Sequence, residues 1–382
     1  MKKDSGKKIR TNRSLRAVFS LVAVFSGLLI GAVLFFTALE AVVSIYHSKT
    51  EARSMLVPGI KSRFVYKMVP SSKTFLSNVD MVFNNFSMRR EKDVNESPEP
   101  QSSRVLVYGD SVSLGVLVNQ NATFSAVLED LFRQAPAGRS VEILNMARGN
   151  SPSIYAVHAK KDIPQFRPDL VVLQIELAND VADEAFVKFD SADEYGLPDP
   201  LQTARYLLSW DRKIVGIIPI NGYFFEATKA YSDLTHRIGN WLSSRYPNPL
   251  FSSSSTYYYY NLGFDQFYLT EERLSSAFQR MFKVINGIKH FSEKNGAKFL
   301  LLITPSSYVF DSNQFQQGSN ELVERAVASA IQLKIPHISV LKRFKENGGS
   351  NLYFDFCHPV PKGHQLIAEE LFKEIASKLK KD

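Results

Sequence analysis

Five short apolar runs restrict this chain more than any other feature. They are Val105–Tyr108, Val141–Leu144, Leu170–Ile175, Phe299–Thr304 and His337–Val340. Each is too short for a buried helix, and none alternates cleanly between apolar and polar residues. Such runs suit strands covered on both faces. Between and after them lie stretches with helical spacing, Phe124–Phe132, Glu321–Leu333 and Lys362–Leu379. Strands alternating with helices predict an α/β architecture with a central, mostly parallel sheet. At 45% hydrophobic and 22% charged residues, the chain has the composition of a folded protein.

A second feature lies outside that pattern. Ala17–Leu39 carries no charged residue. As a helix it reaches roughly 35 Å, enough to cross a hydrocarbon core of about 30 Å. Lys2, Lys3, Lys7, Lys8, Arg10, Arg13 and Arg16 precede it against Asp4 alone. Such a cluster stays on the cytoplasmic side and places the rest of the chain across the membrane. A cleaved signal peptide is the competing reading. Its apolar region runs only about 7–15 residues, and no clear Ala-x-Ala site follows here. The basic tail also accounts for most of the net charge of +8, leaving +2 for everything after it. No general basic surface remains, so nucleic acid is not an expected partner. The lone Cys357 excludes an intramolecular disulfide and a multi-cysteine metal site.

The expected organisation is therefore a basic cytoplasmic tail at 1–16 and a transmembrane segment at 17–44. A stalk or packed leader with a linker follows at 45–103, and the α/β domain at 104–382. Within that domain, about 182–274 breaks the strand–helix rhythm. It includes the Ser252–Tyr260 run SSSSTYYYY and reads as an insertion or lid.

Chemistry-bearing residues cluster at the ends of the predicted strands. The first strand runs into Gly109-Asp110-Ser111. In an open α/β sheet, ligands gather at the carboxyl ends of strands. A serine on the turn into a helix exposes its hydroxyl beside unpaired backbone N–H groups. Alone, an Asp or Ser there is most often a helix cap. Near the C-terminus, Asp355 precedes His358 by three residues, and Pro359 and Pro361 keep His358 on a loop. A base oriented by a carboxylate is what a serine nucleophile needs. His364 falls within a helical pattern and is a weaker candidate for the base. Gly149 and Asn179 follow the second and third strands, where an N–H and an amide can stabilise an oxyanion. Cys357 is read as a packing residue. Glu176, Asp180 and Glu184 lack the His or paired carboxylate that a metal or glycosidase site would need.

These blocks, in this order, resemble the SGNH hydrolases, also called the GDSL esterase/lipase family, from about Arg104 to Leu379. The leader NNFSMRR at 84–90 also resembles the approach segment of membrane-anchored bacterial relatives. The resemblance implies a flavodoxin-like three-layer sandwich behind one N-terminal transmembrane helix. It implies Ser111 as nucleophile, His358 as base and Asp355 as its orienting carboxylate. Ser111, Gly149 and Asn179 would form the oxyanion hole, with no metal or organic cofactor. One block departs from the pattern. Leu177-Ala178-Asn179-Asp180 stands where the family has Gly-x-Asn-Asp. The expected activity is extracytoplasmic hydrolysis of an ester on envelope glycan or lipid. The alternative is an O-acyltransferase that modifies a surface polysaccharide through the same triad, aided by a membrane-protein partner.

Overall fold

The computed structural model describes residues 19–32, 34, 35, 38, 56–58, 66–68, 70–76, 79–135, 140–148, 151–188, 191–198, 205–206, 271–310 and 316–379. The chain divides into two units, one of Met1–Lys49 with Gly216–Gly239, the other of Thr50–Val215 with Asn240–Asp382. In the first unit, residues 19–32 are helical, and Phe19, Phe25 and Leu28 are exposed. Among the described residues, no helix is long and apolar enough to cross a membrane.

The second unit is built on five strands: β1 (Ser103–Tyr108), β2 (Val141–Asn145), β3 (Leu170–Glu176), β4 (Lys298–Thr304) and β5 (His337–Ser339). Their order across the sheet is β5-β4-β3-β1-β2, and every pairing is parallel. Each apolar run read from the sequence falls on one of these strands. Eight helices are described with them: α1 (Ser111–Leu114), α2 (Phe124–Gln134), α3 (Pro152–Phe166), α4 (Leu177–Phe186), α5 (Glu271–Lys294), α6 (Gln316–Gln332), α7 (Leu341–Glu346) and α8 (Pro361–Lys378).

Successive strand side chains point to opposite faces of a sheet. Leu106, Tyr108, Val171, Leu173, Ile175, Leu301 and Ile303 therefore meet α3, α5 and α6 on one side. Val105, Val107, Leu170, Val172, Leu300 and Leu302 meet α2, α7 and α8 on the other. Both faces of the inner strands are buried, which is why those strands read as mostly apolar runs.

Strand β1 pairs with β2 on one edge and β3 on the other. The chain thus winds outward in opposite directions from β1. The carboxyl ends of β1 and β3 flank the point where the winding reverses, and such switch points form a crevice.

The leader from Thr50 onward is part of this unit. Residues 72–76 and 79–83 form an antiparallel hairpin, whose Met81 and Phe83 pack with Leu114 at the end of α1 and with Ala147. Residues 91–102 form a mostly exposed loop ahead of β1. The bulk of the segment read as an insertion, including Ser252–Tyr260, lies outside the described residues. Its N-terminal part continues α4, and its C-terminal part begins α5.

His364 faces the interior and not solvent. It is buried in the first turns of α8, and its Nδ1 accepts the Phe124 N–H at 3.2 Å. Burial, with the nearby Arg89 and His358 charges, lowers its pKa to about 3. Between that value and the ordinary value of about 6.5, the folded state binds fewer protons than the unfolded chain. Stability contributed by this site is complete above about pH 6.5 and is lost as pH falls. From pH 7 to 5 this histidine is expected to cost roughly 2 kcal/mol. Urea unfolding at the two pH values should show that loss in the wild type and a smaller one in His364→Gln.

Candidate active site

The site is built first by the turn that leaves β1. Ser111 is the first residue of α1, so its N–H has no acceptor within the helix. Asp110 caps that helix, its Oδ1 accepting the Val112 N–H at 2.9 Å. Gly109 meets a spatial demand. A Cβ there would collide with the side chains of Ser113 and Gln174. Gly115 closes the helix at φ +74°, in the left-handed region where glycine is unstrained.

Beneath the turn lies a polar layer inside the sheet. Gln174 is a lone polar residue in the middle of β3. With its amide nitrogen toward the turn, it donates to Ser113 Oγ at 2.7 Å and Asp110 Oδ1 at 3.0 Å. Its oxygen then accepts from the Glu176 N–H at 3.1 Å and Thr304 Oγ1 at 2.9 Å. Asn145, at the end of β2, donates to the Ser113 carbonyl at 2.7 Å. These contacts fix the turn from below.

The loop between α7 and α8 supplies the other half. Tyr353 and Pro359 form an antiparallel bridge, and the Phe354 N–H donates to the His358 carbonyl at 2.8 Å. The loop is thereby pinched shut. Asp355 Oδ1 accepts the N–H groups of Cys357 at 2.9 Å and His358 at 2.8 Å. Its other oxygen, Oδ2, lies 2.7 Å from His358 Nδ1. Two bonds from the Tyr353 hydroxyl to the Pro305 carbonyl (2.6 Å) and from the Ser307 N–H to the Phe356 carbonyl (2.7 Å) moor this loop beyond β4. Gly363, where a Cβ would strike Pro359, lets α8 pack against it.

The two halves meet at one atom pair. His358 Nε2 lies 2.8 Å from Ser111 Oγ, across 247 positions of chain. Ser111, His358 and Asp355 thus form one continuous hydrogen-bonded line at the mouth of the crevice. With Nδ1 protonated toward Asp355, Nε2 presents a lone pair to the serine hydroxyl. Burial alone would lower the His358 pKa. The hydrogen bond and charge of Asp355, helped by the charge of Asp110, outweigh it and hold the pKa above the ordinary value. Burial pushes the Asp355 carboxyl up, but its bonds to His358 and the Cys357 N–H bring the net shift below the ordinary value.

Asn179 reaches the same place from β3. It lies in the first turn of α4, and its Nδ2 donates to Asp110 Oδ2 at 3.3 Å. A reciprocal cap takes the place of the glycine that the sequence resemblance led one to expect. Glu176 Oε2 accepts the Asn179 N–H at 2.8 Å, and Asp180 Oδ2 accepts the Glu176 N–H at 2.8 Å. Leu177 is simply helical, so no positive φ is needed there. Gly149 lies outside the described residues.

The remaining candidates have structural partners. Asp180 also accepts from the Tyr155 hydroxyl at 2.8 Å, and Glu184 pairs with Arg280 at 2.9 Å and with Ser153 at 2.6 Å. Cys357 is buried with its Sγ 3.5 Å from His358 Nδ1, and burial holds its thiol well above the ordinary pKa, so it is not a thiolate. Asp355, Cys357 and His358 place three ligand atoms within 4.8 Å of one another. The closest two, Oδ2 and Nδ1, already bond to each other.

The sequence reading passed over Gln174 and Asn145. Their signal was available: a polar residue inside, or at the end of, a strand with both faces buried must have a partner.

The chain matches no protein-family model and no curated protein. Among solved structures it is similar to a protein from Desulfitobacterium hafniense DCB-2 described as lipolytic and of the G-D-S-L family. That likeness has 12% identity and a TM-score of 0.36, over 71% of this chain and 99% of that one. It is also similar to an acetylxylan esterase from Geobacillus stearothermophilus, at 11% identity and a TM-score of 0.40 over 72% and 96% of the two chains. A further acetyl xylan esterase gives 13% and 0.38 over 71% and 99%.

Gly109→Ala is expected to destabilise the chain by about 1–3 kcal/mol, the usual cost of forcing a methyl group into packed space. Chemical denaturation beside the wild type measures it.

Proposed function

We propose that this protein is a serine esterase of the SGNH type. The carrying observation is the unbroken line from Ser111 Oγ through His358 to Asp355, with 2.8 Å and 2.7 Å links. His358 takes the serine proton as Oγ attacks an ester carbonyl. Asp355 holds the imidazole and stabilises its cationic form without taking the proton. The Ser111 N–H, the Gly149 N–H and the Asn179 amide stabilise the tetrahedral oxyanion. One such donor contributes about 2.7–4 kcal/mol to lowering the barrier. His358 then protonates the leaving alcohol, and water releases the acyl group. No step calls for a metal or organic cofactor.

The proposed setting is extracytoplasmic, with Ala17–Leu39 as anchor and the basic tail inside. The uncharged run and the seven cations ahead of it support this. The proposed substrate is an ester on an envelope glycan or lipid. A sugar hydroxyl in place of water would make the same chemistry an O-acyl transfer.

The full chain, purified in detergent, is assayed on short- and long-chain aryl esters. Ser111→Ala is expected to lower kcat at least about 10³-fold while unfolding like the wild type. A wild-type rate no higher than that of Ser111→Ala would refute the hydrolase. Acyl transfer to an added glycan without hydrolysis would establish the transferase instead.

The pH profile tests the base. His358 must be neutral to accept a proton, and its pKa is raised, so kcat/KM should climb through a midpoint above about 6.5. Asp355→Asn removes the charge that raises it. The remaining activity should show a midpoint at lower pH.

A further inference from the structure

We propose that Arg89 is a positioning residue for the nucleophile, holding the foot of the one-turn helix that carries Ser111. This inference rests on the esterase reading above. It concerns a segment, 84–90, that lies some twenty residues ahead of the serine and outside the four site motifs.

Arg89 is 2% exposed. A guanidinium has five N–H donors in a fixed fork, and here all five have acceptors. One terminal nitrogen donates to the carbonyls of Leu114 and Gly115. The other donates to the Val118 carbonyl at 2.6 Å and the Asp80 carbonyl at 3.4 Å. Nε donates to Gln120 Oε1 at 3.1 Å. Every acceptor is neutral. Among the described residues, no carboxylate forms an ion pair with Arg89. Burial lowers its pKa only to about 10, so the group stays charged at neutral pH.

A buried cation solvated by carbonyls alone is a costly arrangement. Its placement indicates what it supports. Helix α1 is four residues long, and a single turn is not stable by itself. Its last carbonyls have no partners within the helix. Asp110 caps the start, and Arg89 gathers the carbonyls of Leu114 and Gly115 at the end. The Val118 and Gln120 contacts bring the following loop onto the same fork. With both ends held, the direction of the Ser111 N–H and Oγ is set, and Oγ meets His358 Nε2. The packing agrees: Met81 and Phe83 of the leader hairpin share one buried apolar cluster with Leu114. A Cβ on Gly115 would lie 3.0 Å from the Arg89 fork, so glycine there admits the guanidinium as well as the turn.

Lysine keeps the charge but offers three donors from one point, and cannot span five separated acceptors. The test compares full-length wild type, Arg89→Lys and Arg89→Met, with the exposed Arg133→Lys as control. Active sites are titrated with a fluorophosphonate that labels Ser111, so that kcat is expressed per reactive serine. The labelling rate, KM and the pH midpoint are measured alongside.

The expected result is a kcat per titrated site at least 10-fold lower in Arg89→Lys and lower still in Arg89→Met. The labelling rate should fall in parallel, with KM for a small aryl ester within about twofold and the pH midpoint unmoved. A role in overall stability alone would reduce the titratable fraction and leave kcat per site at the wild-type value. That outcome overturns the proposal. Should Arg89→Met fail to fold, Arg89→Lys decides by itself. Wild-type protein that is neither labelled nor active would instead refute the esterase reading.

Discussion

The hydrogen bonding of β1 to parallel neighbours on both sides is the constraint on which the rest depends. Because β2 and β3 flank β1, the chain winds away from it in two directions, and the connections part above its carboxyl end. That gap is where Ser111 emerges. It is also where Asn179 arrives from β3 and where the loop bearing His358 closes over from α7. Had β3 paired outside β2, these segments would stand at separate points along the sheet edge.

Around the gap, three buried titratable groups, Asp110, Arg89 and His364, are placed without an ion pair among the described residues. Asp110 is buried and raised in pKa by burial, yet it receives the Val112 N–H, the Asn179 amide and the Gln174 amide. Arg89 is buried and held by carbonyls. His364 is buried and neutral. Each group is placed by dipoles that the backbone and uncharged side chains supply. A hydrogen bond with one charged partner is worth about 1.5–3 kcal/mol, more than a neutral one. It also specifies direction. The site's order thus comes from many short, directional contacts spread over β1, β2, β3 and the leader.

Much of this was legible beforehand because apolar patterning and turn chemistry are local. The five strand runs announced a sheet buried on both faces. Asp110 before a short helix announced a cap. Asp355 three residues before a proline-bounded His358 announced a turn that could close on one imidazole. What escaped were residues whose partners are distant in sequence. Arg89 reads as half of an ordinary basic pair, and nothing near it hints at carbonyls 25 to 29 positions away. His364 shows only a helical position, since its burial against Phe124 depends on α8 lying beside α2. The Leu177 departure left unsaid what would aim Asn179. The cap between Glu176 and Asp180 resolves it, but only once β3 is known to run directly into α4.

The sequence by itself therefore determined the class of fold, which elements are buried on both sides, and which residue types stand at strand ends with the chemistry of a nucleophile, a base and its orienting acid. Only the tertiary structure decided that Ser111 and His358 share a hydrogen bond, that His364 is a buried neutral acceptor, and that a leader arginine bonds the carbonyls at the end of the helix that begins with Ser111. The physical reason is the difference between period and distance. Hydrophobic period is written in neighbouring residues, whereas the contacts that aim a side chain join segments that only sheet order brings together.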